Sequence, residues 1–238
     1  MGRTKYFTVL FVLFFLIAPG LKNTSYGQME NEGHPGSWTV ISGNADLHED
    51  WSIPLVCLMK HNDVLDQYGF SFVRTGVTRQ LSRSSKLTAG ISFFNSSVYG
   101  ENESIKNSSQ LWFYGEYVFN LNLRKDVLAQ RFRWENRRTL NSEDANHNNR
   151  IRYRLQYIKP ISSNIYIRSF NELFLIVEGS SFDQNRFYIG VGQRLTKSLK
   201  LDLGYMKRHL KASSEDMIRM ELTFSLDLTK NDLAQHSQ

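Results

Sequence analysis

Between residues 217 and 228 the chain alternates without a break. Ile218, Met220, Leu222, Phe224, Leu226 and Leu228 are apolar, and Arg219, Glu221, Thr223, Ser225 and Asp227 between them are polar. At 100° per residue the apolar set would scatter around a helix; at 180° per residue it forms one face. The segment reads as a strand with one polar and one apolar side, and this period governs the chain from about residue 50 onward. In 150–158, Arg150, Arg152, Arg154 and Gln156 oppose Ile151, Tyr153, Leu155 and Tyr157. In 128–137, Arg131, Arg133, Glu135 and Arg137 oppose Leu128, Phe132 and Trp134. Runs at 186–194 and 199–205 repeat the pattern, and weaker ones occupy 51–62, 69–81, 85–98, 109–120 and 164–177.

Those ten runs extend to fourteen residues, longer than the five or six usual in soluble sheets. Transmembrane strands need about 9–11 residues at a steep tilt, although soluble barrels with long strands also exist. The connections add a second signal. Short turns at 82–85, 123–126, 162–164 and 196–198 alternate with longer hydrophilic stretches at 62–68, 99–109, 140–149, 178–184 and 211–215. Short periplasmic turns and longer outer loops are the outer-membrane arrangement. With both ends on the periplasmic side the strand number is even, so ten strands are expected, with twelve as the alternative. The segment 37–45 (SWTVISGNA) would as a single crossing put the N-terminus outside, and is read as periplasmic or packed in the lumen.

The start of the chain supports export. Arg3 and Lys5 precede twelve uncharged residues, 7–18 (FTVLFVLFFLIA), which Pro19-Gly20 interrupt; Ser25 and Gly27 supply small residues before Gln28. This is a signal-peptide pattern over 1–27, too short for a spanning helix of about 20 residues. No later run is long enough either, so a membrane-resident chain has to cross as a closed β-barrel, the other structure that satisfies its backbone in lipid. The expected organisation is a leader at 1–27, a periplasmic or lumen-packed segment at 28–48, an all-β, antiparallel up-and-down transmembrane barrel at 49–228 and a tail at 229–238.

Composition excludes several classes. Hydrophobic residues make up 41% and aromatic residues 13% of the 238, too apolar for a disordered chain. Cys57 is the sole cysteine, so there is no internal disulfide framework. The formal charge is +6, but Arg3, Lys5 and Lys22 fall within the leader, leaving about +3, no nucleic-acid signature.

The basic residues concentrate instead. Thirteen Arg and Lys lie between Arg124 and Arg194 against seven acids, and in the strands they occupy the polar face. In a membrane barrel that face has to be the lumen, because an Arg turned to lipid near the midplane costs about 2–4 kcal/mol. Arg131, Arg133, Arg137, Arg150, Arg152, Arg154, Arg186, Arg194 and Arg219 would there share Glu135, Glu172 and Glu221, forming an ion-pair ladder that suits forked guanidinium groups. The ladder either fills a narrow lumen and fixes register or lines a pore or pocket for small anionic solutes. The aromatic residues pose a parallel choice: Trp112, Tyr114, Tyr166 and Tyr188 share the polar face, while Trp51, Tyr117, Trp134 and Tyr205 suit interfacial girdles.

No catalytic constellation emerges. His209 lies near Ser213, Ser214 and Asp216, and Asp183 could join them at a rim, so a hydrolase acting on lipid or peptide is the rival reading; a soluble, exported ligand-binding barrel is the third. There is no P-loop, dinucleotide fingerprint or G-x-S-x-G, and no metal or cofactor is expected. Gly190 and Gly192 read as room for bulky neighbours.

Several strings occur in a recognisable order: 131–137 (RFRWENR), 150–154 (RIRYR), 171–174 (NELF) and 182–190 (FDQNRFYIG). Over roughly 50–228 they resemble a family of small bacterial outer-membrane β-barrels known only as a domain of unknown function. The resemblance implies a Gram-negative, Bacteroidetes-type outer membrane and an Arg/Glu interior. The partners expected are outer-membrane lipid and the barrel-insertion machinery, and it brings no known activity. The last run stops at Leu228, leaving Phe224 and Leu226 as an internal insertion signal.

Overall fold

The computed structural model describes residues 35–99, 105–140, 147–179 and 181–229. The leader, residues 28–34, parts of three connections (100–104, 141–146 and 180) and the tail from 230 lie outside the described residues. Within them eleven strands close one barrel: β1 (Gly36–His48), β2 (Trp51–Asp63), β3 (Asp66–Ser82), β4 (Ser85–Tyr99), β5 (Ile105–Leu123), β6 (Asp126–Thr139), β7 (His147–Pro160), β8 (Ile165–Ile176), β9 (Ser181–Arg194), β10 (Leu199–Leu210) and β11 (Ser214–Asp227). Each of the ten alternating runs is a strand, and sequential neighbours pair antiparallel around the ring.

The strand number corrects the expectation of ten or twelve. Gly36–His48 is neither a periplasmic segment nor a lumen filler but a wall strand, antiparallel to β2 and parallel to β11, with Gly36 opposite Met217 and Asp46 opposite Asp227. Here β2 and β11 do not pair with each other, so without β1 each would be an open edge of unpaired N–H and C=O groups; β1 pairs with both. An even number of strands requires both ends of the barrel chain to leave from one rim, and here they do not. β1 starts at the rim that carries the β2–β3, β4–β5, β6–β7, β8–β9 and β10–β11 connections, called here the long-loop rim. β11 ends at the opposite, short-turn rim.

One expected loop is also corrected. The stretch 62–68 is a two-residue turn, Val64-Leu65, between the paired Asp63 and Asp66, with Leu65 in the left-handed region at φ 60°. Its polar flanks imitate a loop, but strand pairing runs to its edge.

The side chains divide by face. Every strand sends large apolar residues outward: Ile41, Ile53, Val77, Ile91, Phe113, Trp134, Ile151, Ile167, Val191, Leu203 and Ile218 are one exposed example from each of β1 to β11. The inward positions carry Arg133, Glu135, Arg150, Glu172, Asp202 and Arg219, all buried. That is the reverse of a soluble barrel, which keeps its apolar face inside.

Glycines make room for rings in this narrow interior. A methyl group on Gly192 would run into the Tyr166 ring, and one on Gly190 into the Tyr188 hydroxyl. Tyr166 and Tyr188 are both buried, so the two glycines serve as the room expected of them. At the parallel seam on the outer face, Gly43 stands opposite Phe224, whose ring covers it.

Candidate functional site

The ladder is built on β5 to β8. Pairing sets Arg131 opposite Arg154, Arg133 opposite Arg152, and Glu135 opposite Arg150. Two of these pairs are like charges, which alone would weaken the sheet. They separate by reaching sideways to other strands. Arg133 donates to Glu116 on β5 from Nε at 2.7 Å and again from Nη2. Arg152 donates from Nη1 to Glu135 Oε1 at 2.6 Å and from Nε to Glu172 Oε1 at 2.9 Å. Arg131 Nη2 reaches the same Glu172 oxygen at 2.5 Å. Arg150 donates from Nε and Nη2 to Glu135 Oε2 at 2.9 and 2.7 Å, and from Nη1 to Asp183 Oδ2 at 2.9 Å. The result is a continuous zipper from Glu116 to Asp183 across the lumen. Asp183 enters it because β9 bulges there: Phe174 pairs with Gln184 and Leu175 with Phe182, leaving Asp183 without an opposite residue.

A second cluster joins β8, β10, β11 and β1. Arg168 lies 3.1 Å from Asp202 and 2.6 Å from Glu221; Arg219 lies 2.9 Å from Glu221, and Ser42 Oγ donates to Glu221 at 2.7 Å. Tyr166 donates to Asp202 at 2.7 Å. A third, toward the long-loop rim, gathers Lys60 and Arg208 on Glu215, at 3.1 and 3.0 Å.

Eight of the twelve residues expected in the ladder make carboxylate–guanidinium pairs: Arg131, Arg133, Glu135, Arg150, Arg152, Glu172, Arg219 and Glu221. Arg137 instead donates to Asn148 Oδ1 at 2.7 Å. Arg154 lies 5.4 Å from the Phe170 ring centre. Arg186 is held between Trp38 and Phe174, at 4.6 and 4.4 Å. Arg194 does not belong to the ladder; it is exposed at the short-turn rim and donates to the Ser163 carbonyl at 2.9 Å. Strand parity places it on the right face but says nothing of height, and it lies beyond the last lumen carboxylate. Sequence reasoning missed Glu116, Arg168 and Asp202 as members. Glu116 has the same parity as Trp112 and Tyr114, a usable signal; Arg168 lies in 164–177, one of the weaker alternations, where Ser169 and Asn171 interrupt the apolar face.

The aromatic choice resolves by face. Trp112, Tyr114, Tyr166 and Tyr188 fill the lumen, whereas Trp51, Tyr117, Trp134 and Tyr205 are exposed outside. Toward the long-loop rim Trp38, Phe170, Tyr188, Met206 and Met217 form one buried cluster with Leu58 and Phe70 against it. Phe174 is fully buried beneath Arg150, Arg152 and Arg186. This half of the lumen is filled. Toward the short-turn rim Thr78, Thr88, Tyr166 and Asp202 are buried, but the inward residues Asn44, Val56, Arg74, Val118, Arg154 and Gln156 are partly exposed, so solvent reaches part of that half.

A family model described as "Protein of unknown function (DUF2490)" matches residues 35–219. The chain belongs to the DUF2490 family. The match takes in all of β1, so the parallel closing strand is part of the DUF2490 domain and not an extension of it, and it contains every carboxylate of the first zipper, Glu116, Glu135, Glu172 and Asp183. No curated protein matches the chain.

Of the rim residues considered for a hydrolytic site in this DUF2490 barrel, His209 stands opposite Ser214 and shares the outer face with Asp216, while Asp183 is on the inner face. Asp183 points into the lumen against Arg150. Asp216 lies outside it, bonded to Tyr205 and 3.1 Å from Lys207, and His209 is exposed. Among the described residues no group of three or more His, Cys, Asp or Glu could hold a metal ion. Beyond the strands, Glu178 accepts from the Asn149 backbone N–H at 2.9 Å and from its side-chain amide at 2.7 Å, and these bonds hold its carboxyl below the ordinary value.

Proposed function

We propose that this chain is an outer-membrane β-barrel whose lumen is sealed by its own ion pairs, a non-enzymatic scaffold that carries the loops of its outer rim. The carrying observation is the inversion of faces: apolar side chains around the whole circumference and a charged, hydrogen-bonded interior. An apolar belt on every strand of a water-soluble protein would exceed by far the patch that monomers tolerate. Strands of 12 to 19 residues at about 3.3 Å per residue are long enough to cross lipid at a steep tilt. The filled half of the lumen supports a closed barrel over a passage for solutes.

The test is fluorescence in vesicles whose acyl chains carry bromine. Refolded protein with Trp134 as its sole tryptophan is expected to be quenched, and protein retaining only Trp112 is not. A soluble, exported barrel would leave both bright and would be released with the periplasm without detergent. In a planar bilayer the same preparation is expected to be silent; stepwise ionic currents would reject the seal while leaving the membrane reading intact.

A further inference from the structure

The half of the lumen open toward the short-turn rim ends on an unbalanced set of charges. Arg74, Arg131, Arg133, Arg152 and Arg154 all lie within electrostatic range of Glu116 or Glu172. The two carboxylates are already occupied: Arg131 and Arg133 hold Glu116, and Arg131 and Arg152 hold Glu172. Arg74 and Arg154 make no carboxylate contact among the described residues. Arg74 has only ring faces, at 5.3 Å from Tyr114 and 5.8 Å from Phe72, and Arg154 has Phe170. Both sit near mid-strand and point inward, yet both are partly exposed, so space for solvent adjoins them inside the wall. A guanidinium keeps its proton in a protein, and a charge in a confined, low-dielectric space requires a counter-charge. A ring face supplies only part of one.

We propose that a small oxyanion binds in the lumen between Arg74 and Arg154, entering from the short-turn rim. The forked donors of two arginines match the oxygens of a phosphate or carboxylate, and Gln156, on the same inward face of β7 as Arg154, two residues nearer the short-turn rim and partly exposed, adds a neutral donor toward the entrance. The site depends on the lumen alone and stands whether or not the outer wall faces lipid.

The experiment is phosphorus NMR of inorganic phosphate titrated with the full mature barrel refolded in a phosphate-free detergent, at constant ionic strength in chloride. Saturable broadening of the phosphate line is expected, reduced at least tenfold in affinity in Arg74→Gln with Arg154→Gln. Arg138→Gln, which removes one charge at the long-loop rim, is expected to bind as the parent does. Should the double variant not fold, each single variant is expected to weaken binding, and Glu116→Gln, which frees Arg133 for the anion, to strengthen it. A phosphate line indifferent to the protein, or one broadened equally by the double variant and the parent, overturns the proposal.

Discussion

Gly192 and Gly115 are both strand glycines, but they differ in what surrounds them. The Tyr166 ring occupies the space a side chain at 192 would need, while nothing lies within 4 Å of a side chain at 115. Gly192→Val should destabilise the barrel by about 1–3 kcal/mol, the usual cost of overpacking, and Gly115→Ala should change little. Urea midpoints of the refolded proteins give the comparison, and equal shifts would contradict the packing described. Glu135 is the second instructive residue. It accepts from Arg150 and Arg152 at once, so Glu135→Gln leaves two buried guanidinium groups short of charge. Breaking such a pair costs about 3–5 kcal/mol. Arg137, which meets an amide oxygen and the Trp112 ring but no carboxylate, should be replaceable by Gln with a much smaller loss in the same urea series.

At the level of strands, the test of the fold is the seam between β1 and β11. Ser42 and Thr223 are directly opposite there, with side-chain oxygens 3.2 Å apart. With Cys57 replaced by Ser, cysteines at 42 and 223 should form an intramolecular disulfide on oxidation, visible as a mobility change on a denaturing gel. If only intermolecular bridges formed, β1 would not close the ring. The ten antiparallel strands were legible because Ile218 to Leu228 and their counterparts alternate cleanly, and period two has few other meanings. β1 was not, because its inward face mixes Trp38 and Val40 with Ser42 and Asn44 while its outward face holds Thr39 and Gly43. No alternation survives that mixture; only the two unpaired edges of the remaining sheet reveal the strand. The ladder was readable in its face but not in its partners. Arg154 and Arg186 have the parity of Arg152, and only the register across strands decides which of them finds a carboxylate.

For the whole molecule, the odd number of strands fixes where the barrel chain begins and ends. Pro35 enters at the long-loop rim and Thr229 leaves at the short-turn rim, and in the outer membrane proposed above these are opposite sides. Epitope tags placed just before Pro35 and just after Thr229 should therefore respond oppositely to antibody on intact cells: one labelled, the other labelled only after the envelope is opened. Labelling of both or neither on intact cells would contradict an eleven-stranded wall. The same arithmetic bears on how the barrel is assembled. β2 to β11 form five hairpins joined at the long-loop rim, and each can be delivered as a pair whose ends stay on one side. With those hairpins formed β1 is left over, and until it pairs with both β2 and β11 the ring is a curved sheet with two raw edges. Closure is thus a one-strand docking event, and the parallel seam is the last bond the architecture leaves to be made.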